Sequence, residues 1–315
     1  MSISINRYSD DLKSAWDGLV SESPMGLFFF QRDYIDLNKS VDEYSLMVYW
    51  DESLVAVFPA ILEGSTVYSY KRLTYGGLIY TNNMKSSLLF EIYSAVARFF
   101  KEKGIKELQI GQIPHFLRKN NSEADTYWLI SSGAQIVTCD LSAIIDVREP
   151  VSFSSRKKKY IKKAEKLGCK VVESDTRVVD YHNLLSSTLQ KKYDVTPTHS
   201  TSELKSLIEN FQANISLHSV YLEDEMIAGA VTFNFDVVVH TQYLACSDNG
   251  QKIGALDYLI YKLCENAHGS GWDFISLGRS TEPGGGLNQG LLNYKEGFGS
   301  QIVPYYTLSL DLERL

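Results

Sequence analysis

One order of elements is written twice in this chain, and that duplication narrows the folds open to it more than any other feature. In the first half, Ser45 to Trp50 and Leu54 to Leu62 have the strand pattern on either side of the turn Asp51-Glu52-Ser53. Val67 to Leu73 reads as a third strand, leading into Thr74-Tyr75-Gly76-Gly77. From Ser86 to Lys103 the residues Leu88, Leu89, Ile92, Ala95, Val96, Phe99 and Phe100 fall at steps of three and four. This predicts an amphipathic helix closed by Gly104. A strand through Ile105, Leu108 and Ile110 then ends at Gly111. In the second half, strands Leu217 to Leu222, Met226 to Phe235 and Val237 to Cys246, helix Ala255 to Ala267 and strand Trp272 to Leu277 repeat the order. Leu54-Val55-Ala56 matches Met226-Ile227-Ala228, and Gly104-Ile105 to Gly111 matches Gly271-Trp272 to Gly278. Any two α/β units share such patterns, but here order and residues agree together, and internal duplication is the simpler account.

At 315 residues the chain is longer than one usual domain. The duplication predicts two, 1–150 and 151–315, with the boundary near Asp146 to Ser155 after a strand-like run from Gln135 to Ile145. The expected class is α/β: in each half a mixed, mostly antiparallel sheet flanked by helices. Ahead of the first copy, Leu12, Trp16, Leu19 and Val20 predict a helix, and Phe28 to Leu37 a second. Hydrophobic residues at 44% and charged residues at 22% are globular proportions. A net charge of -7 offers no general attraction to DNA or anionic lipid. Apolar runs such as Leu27 to Phe30 are too short to span a bilayer, so a soluble, cytoplasmic protein without membrane insertion is expected. Cys139, Cys169, Cys246 and Cys264 are widely spaced with no CxxC pair, which predicts free thiols and no metal site.

Chemistry concentrates in Phe274 to Ser300. Phe274, Ile275 and Leu277 read as the end of a buried strand, and Gly278-Arg279-Ser280 sets a guanidinium and a hydroxyl where it stops, the place where open α/β sheets bind ligands. The loop Glu282-Pro283-Gly284-Gly285-Gly286 follows, and Asn288 is a predicted N-cap for a short helix through Leu291, Leu292 and Lys295. Between Cys246 and Ala255, the segment Ser247 to Gly254 is either an ordinary strand–helix turn or a turn whose backbone N–H groups hold a pyrophosphate. Phe153 to Gly168 predicts an amphipathic helix with Arg156, Lys159, Lys162, Lys163 and Lys166 largely on one face: a solvated face, or one that binds a polyphosphate such as a nucleotide sugar or a tRNA end.

The order of elements, with Gln251-Lys252-Ile253-Gly254-Ala255-Leu256, resembles the acyl-CoA-binding acetyltransferase (GNAT) superfamily and its Q-x-x-G-x-G/A turn, with Leu256 where the last small residue would stand. Lys159-Tyr160-Ile161-Lys162-Lys163-Ala164, Asp273-Phe274 with Gly278-Arg279-Ser280, and Tyr294-Lys295-Glu296-Gly297-Phe298-Gly299 resemble segments of the FemAB-like acyltransferases, built from two GNAT-type domains. The resemblance implies tandem GNAT-like domains, an acceptor side in 1–150 and an acyl-donor side in 151–315. It implies an N-acyltransferase that moves an acyl group from acyl-CoA, acetyl-CoA for example, to an amino sugar or a cell-envelope polysaccharide precursor, without a metal. The alternatives are aminoacyl transfer from tRNA to a peptidoglycan precursor and a non-catalytic binding protein. It further implies that Lys295 steadies the oxyanion in a pocket lined by Arg279 and Ser280, that Gly250, Gln251, Lys252, Ile253, Gly254 and Ala255 hold the donor, and that Lys159 and Lys163 hold acceptor phosphates. The long coiled-coil insertion that several tRNA-dependent members carry is missing, which favours a thioester donor.

An amine acceptor must lose a proton, so a base is needed. His115 beyond the first strand end, Glu282 beyond the second, and His199 are the candidates, with His199 also placed among substrate contacts. Tyr75 of Tyr75-Gly76-Gly77 is a candidate wall for the acceptor, with Asp125 and Tyr127 as further candidates.

Overall fold

The computed structural model describes residues 2–315 except 39–41, 70, 72, 121, 283 and 284. The chain divides into two compact units, Met1–Asp140 with Pro304–Leu315, and Leu141–Val303. In order, the first contains β1 (Ile3–Arg7), α1 (Lys13–Glu22), α2 (Arg32–Ile35), β2 (Leu46–Trp50), β3 (Ser53–Phe58), β4 (Ile61–Glu63), β5 (Thr66–Ser69), β6 (Ile79–Tyr80), α3 (Ser86–Glu102), β7 (Glu107–Gly111) and α4 (Ala124–Ser131). Strand β8 (Gln135–Asp146) leads into the second, which holds α5 (Ser155–Lys166), β9 (Lys170–Val172), α6 (Val178–Tyr193), α7 (Thr201–Asn210), β10 (Ile215–Leu222), β11 (Glu225–Phe235) and β12 (Val238–Cys246). It continues with α8 (Asp248–Ile253), α9 (Ala255–Ser270), β13 (Phe274–Arg279) and α10 (Gln289–Glu296), and β14 (Gln301–Asp311) carries the chain into the first unit. The C-terminal strand therefore lies in the first unit, whereas the sequence ranges put it in 151–315.

In the first unit, β1-β2-β3-β6 form one sheet, and β4-β5-β7-β14 run side by side in another. The strand expected over Leu54 to Leu62 is two strands in different sheets. Pro59, which cannot donate to a ladder, stands at the break. The helix expected over Phe28 to Leu37 is likewise a short run of 3₁₀ turns around α2, with Phe28, Phe29 and Phe30 all buried. Helix α3 buries Leu88, Leu89, Ile92, Tyr93, Val96, Ala97 and Phe100, the face its periodicity predicts, and ends at Gly104 with φ of 78°.

The second unit has the order β8-β13-β12-β11-β10-β9. Pairs β10·β11, β11·β12 and β13·β8 are antiparallel, and β12·β13 is parallel, the crossover being made by α8 and α9. Helix α9 buries Ala255, Leu259, Ile260, Leu263 and Ala267, and Gly271 ends it in the left-handed conformation, as Gly104 ends α3. Ile161 and Ala164 of α5 pack with Ile227, Ala228, Ile253 and Leu259 in one part of the core, and Phe298 packs with Ile145, Ile260 and Ile275 in another. Among the described residues no helix is long and apolar enough to cross a membrane.

Candidate active site

The second unit's sheet opens at the C-terminal ends of its one parallel pair. Strand β12 follows β11 throughout, but Thr232 faces Thr241 while Val231 faces Tyr243, so Gln242 is an extra residue. Such a bulge bends its strand and increases the local twist. On the other edge, β12 pairs with β13 only at Val238↔Phe274, Val239↔Ile275 and His240↔Ser276. Beyond that point β12 runs on to Cys246 and β13 to Arg279, and β13 no longer takes up the backbone edge of β12. The bulge thus begins a fork where a topological switch invites a ligand.

Polar side chains gather at the crotch of this fork. His240 Nδ1 is 2.9 Å from Ser276 Oγ, and Thr241 Oγ1 donates to the Ser276 carbonyl at 3.2 Å. Gly278 has φ of 71°, which calls for glycine, and a Cβ there would stand 3.3 Å from His240 Cε1, so space is tight as well. Helix α10 reaches the same point: Asn288 Oδ1 caps it by accepting from Leu291 N–H at 2.9 Å, and Lys295 is 4% exposed. Its Nζ donates to the carbonyls of Gly278 at 2.9 Å and Arg279 at 2.5 Å. An ammonium has three N–H donors, so one remains. Among the described residues no carboxylate pairs with it.

These surroundings set the charges. Burial, and then the nearby Arg279 guanidinium, lower the Lys295 ammonium to about 8. Burial, and then the Lys295 charge, bring His240 down to about 4 against an opposing hydrogen bond to Gln242. At neutral pH the fork therefore holds a neutral imidazole beside a charged ammonium. Gln242 also bonds Tyr243, whose hydroxyl is 2.7 Å from His199 Nδ1. Burial lowers the half-buried His199 against the attraction of Glu203. A polar line thus runs His240, Gln242, Tyr243, His199.

At the end of β13, Ser280 is fully buried: its N–H donates to the Leu141 carbonyl at 2.8 Å, and its Oγ has no hydrogen-bond partner among the described residues. Arg279 is exposed. Glu282 is exposed and accepts from Asn288 Nδ2 at 3.2 Å, while its own N–H donates to the Gly286 carbonyl. The intervening Pro283 and Gly284 lie outside the described residues.

The segment expected to be a turn before Ala255 is instead the short helix α8. Ser247 Oγ caps it through Gly250 N–H at 3.0 Å, and Gly254 makes the left-handed corner into α9 at φ of 88°. A Cβ on Gly250 would lie 2.3 Å from the Ile227 carbonyl oxygen, and one on Gly254 would lie 2.5 Å from Tyr160 Cβ. Both glycines serve close packing, of α8 on β11 and of the corner on α5. Ile253 and Ala255 are buried, Gln251 and Lys252 are exposed, and no side chain caps the N-terminus of α9. Lys159 is exposed, whereas Lys163 donates to the Lys252 carbonyl at 2.8 Å. In the first unit, Tyr75 is buried beside the rings of Phe29 and Tyr305, and burial raises its phenol. His115 is exposed at the start of a 3₁₀ turn, Asp125 is committed to Arg118, and Tyr127 is exposed. Lys295, Arg279, Ser280 and Glu282 thus share one strand end.

His240 and Gln242 were missed from sequence. Their signal was present in the polar residues of the otherwise strand-forming run Val238-Val239-His240-Thr241-Gln242.

Residues 152–296 match the family model of the GNAT acetyltransferase domain. No curated protein matches the sequence. Among solved structures, FemX is similar at a TM-score of 0.70 with 11% identity, over 98% of this chain and 97% of that one. L-PGS from Bacillus licheniformis is similar at 0.60 with 12% identity, over 98% and 94%. A tandem GNAT protein from the clavulanic acid biosynthesis pathway is similar at 0.55 with 8% identity, over 99% of each chain. Residues 152–296 thus match a GNAT acetyltransferase domain, and the chain as a whole has the fold of the FemX and tandem-GNAT structures.

Proposed function

We propose that the chain is an acyl-CoA-dependent N-acyltransferase, acting in the cytoplasm on an amine of an amino sugar or a related cell-envelope precursor carried on a nucleotide. The observation that carries this reading is Lys295: a buried ammonium with no carboxylate, fixed on two strand-end carbonyls at an open fork, with one N–H to spare. When an amine attacks a thioester carbonyl, negative charge appears on the carbonyl oxygen until the C–S bond breaks and CoA leaves as the thiol, taking up the equivalent of the proton the amine gives up; a fixed ammonium stabilises that charge as it forms. The unpaired edge of β12 suits the extended amide arm of an acyl-CoA, which can add to it as a strand would. The start of α9 around Gly254 and Ala255, with exposed Gln251 and Lys252, is assigned to the donor's pyrophosphate.

Ser280 Oγ, buried and without a partner, is assigned to the reacting amide or acceptor, with Arg279 beside it. Glu282 is our base for the acceptor amine, since it is the carboxylate next along the chain from that strand end; His115 and His199 are the alternatives. Tyr75 and the first unit are assigned to the acceptor, and exposed Lys159 with Lys163 to its phosphates. No step requires a metal.

The test is calorimetry with CoA and acetyl-CoA, with acyl transfer to UDP-amino sugars assayed for wild type and Lys295→Ala. The reading expects donor binding in both proteins and a kcat loss of about 10²–10³-fold in the variant. If neither CoA nor acetyl-CoA binds, the donor assignment fails, and transfer from aminoacyl-tRNA becomes the reading to assay.

A further inference from the structure

A second buried lysine, which the chemistry above does not use, sits behind the first. Lys157, in the first turn of α5, is 5% exposed in a segment whose other cations face water. Its Nζ donates to Asp257 Oδ1 at 2.7 Å and lies 3.3 Å from the centroid of the Tyr294 ring and 3.8 Å from that of Phe298. The same Asp257 oxygen accepts from Tyr294 OH at 2.9 Å. Gly297 completes the cage, since a Cβ there would stand 3.1 Å from Lys157 Cε. A buried ion pair alone is weak support for stability, but this one joins three helices at one atom. Asp257 is in the first turn of α9, Lys157 in that of α5, and Tyr294 immediately precedes Lys295 on α10.

Helix α10 is therefore gripped on two sides. Lys295 ties one side to the carbonyls at the end of β13, and Tyr294 with Phe298 ties another to Lys157. A lysine nitrogen stands roughly 8 Å from its helix axis, given a Cα radius of about 2.3 Å, so a roll of about 10° moves it by more than ~1 Å. Displacements of that size can cost on the order of 10²-fold in rate. The main chain would hold α10 in place through such a roll, because Ser154 N–H donates to the Gly297 carbonyl at 2.9 Å.

We propose that Lys157 is a positioning residue: the junction of Lys157, Asp257 and Tyr294 sets the roll of α10 and so aims the Lys295 ammonium at the fork. The catalytic consequence rests on the reading of Lys295 given above, whereas the aiming itself does not. Burial lowers Lys157 to about 8 against the pull of Asp257, so the ammonium is held in the cage by its partner. Lys157 and Asp257 carry opposite charges 2.7 Å apart, so removing both leaves the field at Lys295 nearly unchanged, and a response of Lys295 in the double variant reports movement.

The experiment uses the full chain with Lys157→Met and with the double variant Lys157→Met/Asp257→Asn, which leaves no buried charge unpaired. Lysine-selective NMR follows the titration of Lys295 Nζ, assigned by its loss in Lys295→Arg. The expected result is a Lys295 midpoint raised by about one pH unit or more as its burial loosens. With that shift, kcat for acyl transfer falls about 10–100-fold while donor Kd stays within about threefold. A folded double variant with an unmoved midpoint and unchanged kcat overturns the proposal, since a merely structural role lowers stability alone. Tyr294→Phe, which keeps the ring over Lys157 and loses only the bond to Asp257, gives the same direction at about threefold if the larger changes do not fold; no response there overturns the proposal equally. If wild type transfers no acyl group, the functional reading fails and the NMR midpoint still decides the positioning.

Discussion

Each copy of the repeated order contains one parallel strand pair, and the two pairs end differently. In the first copy, β5 and β7 pair from Thr66↔Glu107 to Ser69↔Ile110, and Gly76 then bridges Gln112 with its N–H on the Gly111 carbonyl at 2.7 Å. The chain folds so closely there that a Cβ on Gly76 would lie 1.8 Å from the Ser69 carbonyl oxygen, and Gly77 N–H donates to Ser69 Oγ at 2.8 Å. The first fork is stitched shut. In the second copy, pairing of β12 with β13 stops at His240↔Ser276 and nothing equivalent bridges beyond it among the described residues.

The cations behind the two strand ends differ in the same sense. Arg118 donates to the Ile113 carbonyl at 2.8 Å and is held in a bidentate pair by buried Asp125 at 2.9 and 3.1 Å. Lys295 donates to the strand-end carbonyls of Gly278 and Arg279, and among the described residues no carboxylate pairs with it. One scaffold thus spends its backbone and its charge on structure, and the other leaves both available. Unpaired backbone and uncompensated buried charge are what stability disfavours and chemistry needs.

The largest stability effect should come from breaking the closed copy. Asp125→Ala strands the Arg118 guanidinium and should cost about 3–5 kcal/mol in denaturant unfolding, with the donor affinity of the folded protein unchanged. Next, Gly76→Ala forces the Ser69 turn apart and should cost about 2–4 kcal/mol by the same measurement. Gly278→Ala at the open fork should cost only about 1–2 kcal/mol, because His240 can give where the Ser69 backbone cannot, yet it should lower acyl transfer more than Gly76→Ala does. A Gly278→Ala protein of full activity would remove the fork from the mechanism.

A subtler effect is that of pH. The oxyanion role needs the Lys295 ammonium, so kcat should fall as pH rises through about 8, and Lys295→Arg should carry residual activity to higher pH. Stability runs the other way. Lys295 titrates lower folded than its ordinary lysine value, so its contribution is fully present above the ordinary value and is lost as pH falls toward about 8.

Much of the fold is legible in the sequence. The periodicity of α3 and α9, the glycines at 104 and 271, the strands on each side of them and the Asn288 cap all follow from preferences expressed within a few residues. Where three phenylalanines in a row had to be buried, or Pro59 parted one strand into two sheets, local pattern misled, because distant packing overrode it. The glycines 250 and 254 were conspicuous, but their reason was not: each is small for the sake of a neighbour, Ile227 or Tyr160, far away in sequence.

By itself, then, the sequence determined the class and the duplicated order, and it singled out the stretch from Phe274 to Ser300 as the expected place of the chemistry, since periodicity, caps and strand ends are short-range properties. Only the tertiary structure decided which copy opens, that Lys295 is buried without a counter-charge, that His240 stands beside it, and that Lys157 rather than its exposed neighbours enters the core. Those outcomes depend on desolvation and on contacts between residues as many as 100 positions apart, and neither is set until the helices close over the sheet.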